Sequence, residues 1–148
     1  MITLYTIGFT KKSAEKFFTL LKKAGVRKIV DIRLNNASQL AGFAKGADLQ
    51  YFAKEILGAE YVHFTDLAPT KELLKSYQEK EITWNGYVHI FSALLEKRCI
   101  KDKYKVADFD NSCFLCTEDT PEQCHRRLVV EYFKENNPNE EIKIVHLH

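Results

Sequence analysis

Two apolar periods take turns along this chain. Ile2 to Gly8 is β-branched and aromatic with a polar residue at every second or third position, which reads as a strand. After the turn Phe9-Thr10-Lys11-Lys12 the spacing becomes helical: Ser13 is placed to cap a helix whose apolar side carries Phe17, Phe18, Leu20 and Leu21, and Gly25 to end it. Lys28 to Ile32 is a second strand, so the opening is a βαβ unit with parallel pairing. A polar stretch from Arg33 to Gln39, with Gly42 and Gly46 beyond it, makes a long loop, and such loops in compact domains tend to be functional. Asp48 then caps a helix holding Leu49, Phe52, Ile56 and Leu57.

The alternation continues to the end. Tyr61 to Phe64 is a third strand; Pro69 opens a helix with Leu73, Leu74 and Tyr77; Trp84 to Ile100 continues helically through Tyr87, Phe91, Leu94 and Leu95. Ser112 to Cys116 is the fourth strand, Thr120 to about Asn136 the next helix, and Ile142 to Leu147 the last strand. Strands alternating with helices, without a repeat or linker, predict one α/β domain over residues 1–148: a mainly parallel sheet of about five strands with helices on both faces.

Composition narrows the class without naming a function. The net charge of +2 neither demands a nucleic-acid partner nor excludes one. No apolar run approaches the length of a membrane span and the amino terminus lacks an export signal, so the expectation is a soluble, cytoplasmic protein with no membrane partner. In that compartment Cys99, Cys113, Cys116 and Cys124 are reduced thiols.

In an open parallel sheet, ligands bind beyond the carboxyl ends of the strands. That rule gathers Gly8 to Lys11, Arg33 to Ser38, His63 with Asp66, and Cys116 to Glu118 at one crevice. Thr120-Pro121-Glu122-Gln123 spells a helix start, whose amides and dipole favour an anion and lower the pKa of a facing thiol. Cys116, at the strand end, is therefore the expected nucleophile or redox thiol, with Glu118 or His125 as its proton-transfer partner. Cys124 is a redox partner or the top of a buried stripe with Leu128 and Tyr132. Cys99 and Cys113 read as core or partly buried filler.

Arg33 stands where a guanidinium binds an oxyanion bidentately or is held by Asp31 or Glu118. Arg126 and Arg127 would ordinarily be solvated, although Arg126 falls near enough to serve as a second anion anchor. No metal site is assigned and no cofactor is expected. Zinc on Cys116, Cys124 and His125 ranks below thiol chemistry, because adjacent Cys124 and His125 would diverge by about 100° on a helix. A tyrosine-phosphatase cradle is not spelled either, since the residue six beyond Cys116 is Glu122. The basic segment Arg98 to Lys105 reads as a solvated face, and Trp84 and Tyr87 as core.

The residues now collected resemble the uncharacterised domain-of-unknown-function family 488 over nearly the whole chain. The resemblance rests on Tyr5-Thr6-Ile7-Gly8, Asp31-Ile32-Arg33 with Ser38, Phe43, Tyr61 with His63, and Cys116, Glu118 and Cys124-His125-Arg126 with His146. It implies a small α/β protein with the two carboxyl-terminal cysteines and the Cys-His-Arg triplet as hallmarks, and supplies no activity. Phe9-Thr10, Asn36, Gln39 and Leu67-Ala68-Pro69 depart from the family pattern, which looks like a distinct branch.

The sequence reading is a cysteine-dependent enzyme acting on a nucleotide-like or other anionic small molecule, anchored by Arg33, Asn35, Ser38, His63 and Arg126. Its rivals are a redox- or metal-responsive binding module and a nucleic-acid-binding protein using Arg98 to Lys105. Oligomeric state is not readable.

Overall fold

The computed structural model describes residues 1–37 and 42–148. Five strands, β1 (Ile2–Gly8), β2 (Lys28–Asp31), β3 (Glu60–His63), β4 (Ser112–Cys116) and β5 (Ile142–Leu147), form one parallel sheet in the order β3-β2-β4-β1-β5. β4 is the middle strand and all five of its residues are buried, which is why Cys113 to Cys116 reads as an unbroken apolar run rather than an alternation.

Helices α1 (Ala14–Ala24) and α2 (Gly46–Phe52) cover one face, where Phe17, Leu21 and Leu49 pack against Ile7, Ile29 and Leu115. Helices α3 (Lys71–Gln78), α4 (Trp84–Lys97), α5 (Ile100–Lys103) and α6 (His125–Glu135) cover the other, placing Leu73, Phe91, Leu95 and Phe133 over Val30 and Phe114. The predicted fold class is the observed one.

Several boundaries differ from the sequence reading, each for a local reason. Ser13 caps α1 and Gly25 ends it with a left-handed φ of 71°, as expected. Helix α2 starts two residues before Asp48, which lies in its first turn, and is followed by a π turn over Ala53–Leu57. Helix α3 begins at Lys71, two residues beyond the Pro69 expected to open it, and Thr70 is its N-cap, the hydroxyl accepting from the Leu73 amide. The long helix from Trp84 breaks at Cys99, whose φ of 55° ends α4 before α5 begins. Cys99 is exposed rather than core, while Cys113 is fully buried.

The largest shift lies at the carboxyl edge. Thr120-Pro121-Glu122-Gln123 does not open a helix; these residues form turns, and α6 begins at His125 with Cys124 as its extended N-cap. The capping signal lost because the segment is pulled across the end of β1 by the side chains described next.

Candidate functional site

β4 ends at Cys116 between the ends of β2 and β1, with Gly8 of β1 directly paired to Cys116. The chain leaves Cys116 through Thr117-Glu118-Asp119 and crosses so close over β1 that a Cβ on Gly8 would lie 1.5 Å from the Glu118 carbonyl oxygen. Only glycine fits there.

Arg126, fully buried, holds this crossover. Its Nη1 donates to the Glu118 carbonyl, its Nη2 to the Asp119 carbonyl (3.3 Å) and its Nε to Thr6 Oγ1 (3.3 Å). Lys12 adds an ion pair to Asp119 at 2.8 Å, and Thr10 donates from both backbone and side chain to the Thr117 carbonyl. The Thr6 hydroxyl, accepting from Arg126, has its own proton free for His146 Nδ1 at 2.6 Å. Burial and then the Arg126 charge hold His146 below the ordinary histidine range, consistent with that acceptor role.

The fixed crossover presents Cys116, Cys124 and His125 together. Their ligand atoms lie within 4.8 Å of one another and all three residues are buried. His125 Nε2 is 2.7 Å from the Ile32 carbonyl oxygen, an acceptor only, so Nε2 carries a proton and Nδ1 is free to receive one. Nδ1 faces Cys116 Sγ at 3.3 Å. A thiol, a base and a group that orients the base are thereby in line.

Electrostatics separate the two thiols. Burial pushes the Cys116 thiol up, but the hydrogen bond from Cys124, the Thr117 and Glu118 amides and the Arg126 charge outweigh it, and the net direction is down. Cys124 is raised well above the usual thiol range, first by its hydrogen bond to Cys116 and then by burial. Of the two, Cys116 is the one whose surroundings favour the thiolate and Cys124 the one whose surroundings favour the thiol. Cys113 is driven up by burial and is chemically quiet.

These residues open onto a cavity of about 310 Å³ whose opposite wall is aromatic: Tyr77, Trp84 and Tyr87 line it, with Trp84 and Tyr87 stacked at 5.1 Å. Tyr87 is buried and Trp84 half-buried, so these side chains are core and cavity wall at once. Arg33 and Asn35 complete the lining near β2. Arg33 is gripped by Asp31 through Nε (2.9 Å) and Nη2 (2.7 Å) and donates to the Ala44 carbonyl. Its buried Nη1 has no hydrogen-bond partner among the described residues. Tyr61 donates to Asp31 at 2.5 Å, and Asn36 to the Tyr61 oxygen at 3.0 Å.

Of the residues picked out in the sequence, Cys116, Glu118, Cys124, His125, Arg33 and Asn35 line one cavity. His63 and Arg126 do not: His63 Nε2 is bonded to the Arg33 carbonyl (2.7 Å), and Arg126, expected either on the surface or at a ligand, is the internal latch of the crossover. Glu118 contributes its carbonyl to that latch while its residue is exposed; the group bonded to Cys116 is His125. Ser38 lies outside the described residues. Sequence reasoning missed Gly8 as a packing requirement, Thr6 as a link between Arg126 and His146, and Tyr87 as a neighbour of the thiols. In the basic segment the exposed Lys101 lies 3.8 Å from Glu96 and the exposed Lys103 pairs with Asp66.

A family described as Domain of unknown function DUF488 matches residues 13–133. No curated protein and no solved structure matches the chain. No helix among the described residues is long and apolar enough to cross a membrane.

Proposed function

The chain belongs to the DUF488 family, a domain of unknown function, and from its site we propose a cysteine-dependent enzyme acting on a small nucleotide-like or other anionic substrate. The observation that carries this reading is the 3.3 Å contact of Cys116 Sγ with His125 Nδ1, the imidazole being oriented from behind by the Ile32 carbonyl.

His125 Nδ1 takes the Cys116 proton, and the thiolate attacks an electrophilic carbon of the substrate. A sulfur–carbon bond forms, the bond to the leaving group breaks, and His125 returns its proton to that group. Water, deprotonated by His125, then cleaves the sulfur–carbon bond; its hydroxide goes to the product and its proton to the thiolate. The Cys124 thiol and the Thr117 and Glu118 amides hold negative charge on Cys116 between these steps. Arg33 Nη1, without a hydrogen-bond partner among the described residues, can donate to a substrate oxygen, and the Trp84 and Tyr87 rings suit a flat heterocycle. Glu118 and Asn35 are polar groups at the cavity wall, and His63 and Arg126 position the backbone around it.

The test is alkylation of Cys116 by iodoacetamide across pH, read by peptide mass in metal-free protein carrying Cys99→Asn to silence the exposed thiol. Because the thiolate reacts and its folded pKa is lowered, the rate should level off below the pH of an ordinary thiol, about 8.5. His125→Gln should move that profile upward. A wild-type profile centred at or above the free-thiol value would remove Cys116 as nucleophile.

A further inference from the structure

Two neighbouring residues inside a helix diverge by about 100°, which would keep Cys124 and His125 from sharing a metal. Cys124 instead has φ −131° and ψ 140°, an extended N-cap, and only His125 is helical. The helical divergence therefore does not apply between them, and the ligand atoms of Cys116, Cys124 and His125 all lie within 4.8 Å of one another.

We propose that Cys116, Cys124 and His125 form a binding site for zinc(II), with the fourth coordination position open to the cavity. Two sulfurs and one imidazole nitrogen are a donor set for a borderline-soft cation and unsuited to magnesium or calcium. Zinc–sulfur and zinc–nitrogen bonds of about 2.3 and 2.0 Å set tetrahedral edges of roughly 3.5 to 3.8 Å. The Cys116–His125 separation is already 3.3 Å, and no pair of ligand atoms in the group exceeds 4.8 Å, so side-chain rotation is enough to close the site.

The surroundings match what ligands of a bound metal use. His125 presents Nδ1 because Nε2 is engaged with the Ile32 carbonyl, the outer partner that fixes the orientation of a ligating imidazole. Arg126 Nη1, 3.9 Å from Cys124 Sγ, supplies a donor to the second sulfur. Among the described residues no other group of three or more such side chains converges in this way.

Binding releases two protons, one from each thiol, while zinc(II) keeps its oxidation state and replaces them on sulfur. Zinc and the nucleophilic role of Cys116 exclude one another, so metal occupancy switches the thiol chemistry off and chelation restores it.

Chelator-stripped full-length protein, titrated with zinc against a chromophoric chelator, should take up one ion per chain with two protons released. Magnesium should not compete, and cobalt(II) in place of zinc should give sulfur-to-metal charge-transfer absorption with tetrahedral visible bands. Cys124→Ser, which keeps a residue suited to the N-cap, should weaken zinc by more than the 10- to 100-fold that loss of an outer-shell partner costs. Failure of wild type to compete at micromolar zinc, octahedral cobalt spectra without sulfur bands, or undiminished binding in both Cys116→Ser and Cys124→Ser would each overturn the site. These readouts are separate from the alkylation profile of stripped protein, so the zinc site and the nucleophile stand or fall independently.

Discussion

Replacing Gly8 by alanine probes the contact on which the site geometry hangs. The new methyl carbon would stand 1.5 Å from the Glu118 carbonyl oxygen, 2.5 Å from its carbon and 2.6 Å from Arg126 Nη1. Two of these atoms are backbone and the third belongs to a fully buried guanidinium, so none can swing aside as a flexible surface tip would. The 117–119 crossover must lift, and Arg126 then loses its bond to the Glu118 carbonyl. Overpacking costs about 1–3 kcal/mol and a lost buried hydrogen bond to a charged group about 1.5–3, giving roughly 2.5–6 kcal/mol together. That is a large share of the roughly 5–15 kcal/mol that holds a domain folded. Urea denaturation followed by circular dichroism measures it, with Gly86→Ala as the control: a Cβ there meets only ordinary 3.6 Å contacts inside α4. The control should be unchanged or up to about 1 kcal/mol more stable, since alanine is the better helix former. A Gly8→Ala protein within about 0.5 kcal/mol of wild type would refute the claim that the crossover is pinned against β1.

Two further substitutions test the supports of the crevice. Tyr61→Phe removes the 2.5 Å donor to the buried Asp31 carboxylate and should cost about 1.5–3 kcal/mol in the same denaturation assay; a loss below about 0.5 would mean that Arg33 alone satisfies Asp31. Cys99→Gly relieves a left-handed backbone at an exposed position and should stabilise by up to about 1 kcal/mol by thermal melt, the Cβ relief outweighing the added chain entropy of glycine; destabilisation beyond about 1 kcal/mol would contradict this.

The strands, the parallel sheet and the edge at which chemistry gathers were legible because they rest on local patterns: β-branched runs, helical spacing of Phe17, Phe18 and Leu21, and the Ser13 and Gly25 caps. What failed was a strong local signal overridden from a distance. Thr120 to Gln123 carries every mark of a helix start, yet Arg126, Thr6, Lys12 and Thr10 tie the preceding residues to the opposite end of the chain and delay the helix to His125. The same tertiary tie explains the fate of Arg126. A charged residue on a helix is ordinarily solvent-facing, and the carbonyls of Glu118 and Asp119, which Arg126 bonds as they cross β1, turn this one inward. His125 was identified as a proton partner, but its pairing with Cys116 depends on the Ile32 carbonyl, a backbone group that no side-chain motif reports.

The position of β4 bears on how the molecule assembles. β2 and β3 are neighbours in chain and sheet, but β1 pairs with neither; only β4, arriving late in the chain, joins the Leu4 to Gly8 stretch on one side to the Lys28 to Asp31 stretch on the other. Contacts so distant in sequence form slowly, since the loop they close must be ordered first. A nascent chain that ends before Ser112 therefore has the β2-β3 pair and an unpaired β1, and the step that knits them together also carries Cys116 into place between them. Folding and the making of the Cys116 surroundings are the same event, so in a partly folded chain this thiol lacks the neighbours that lower its pKa.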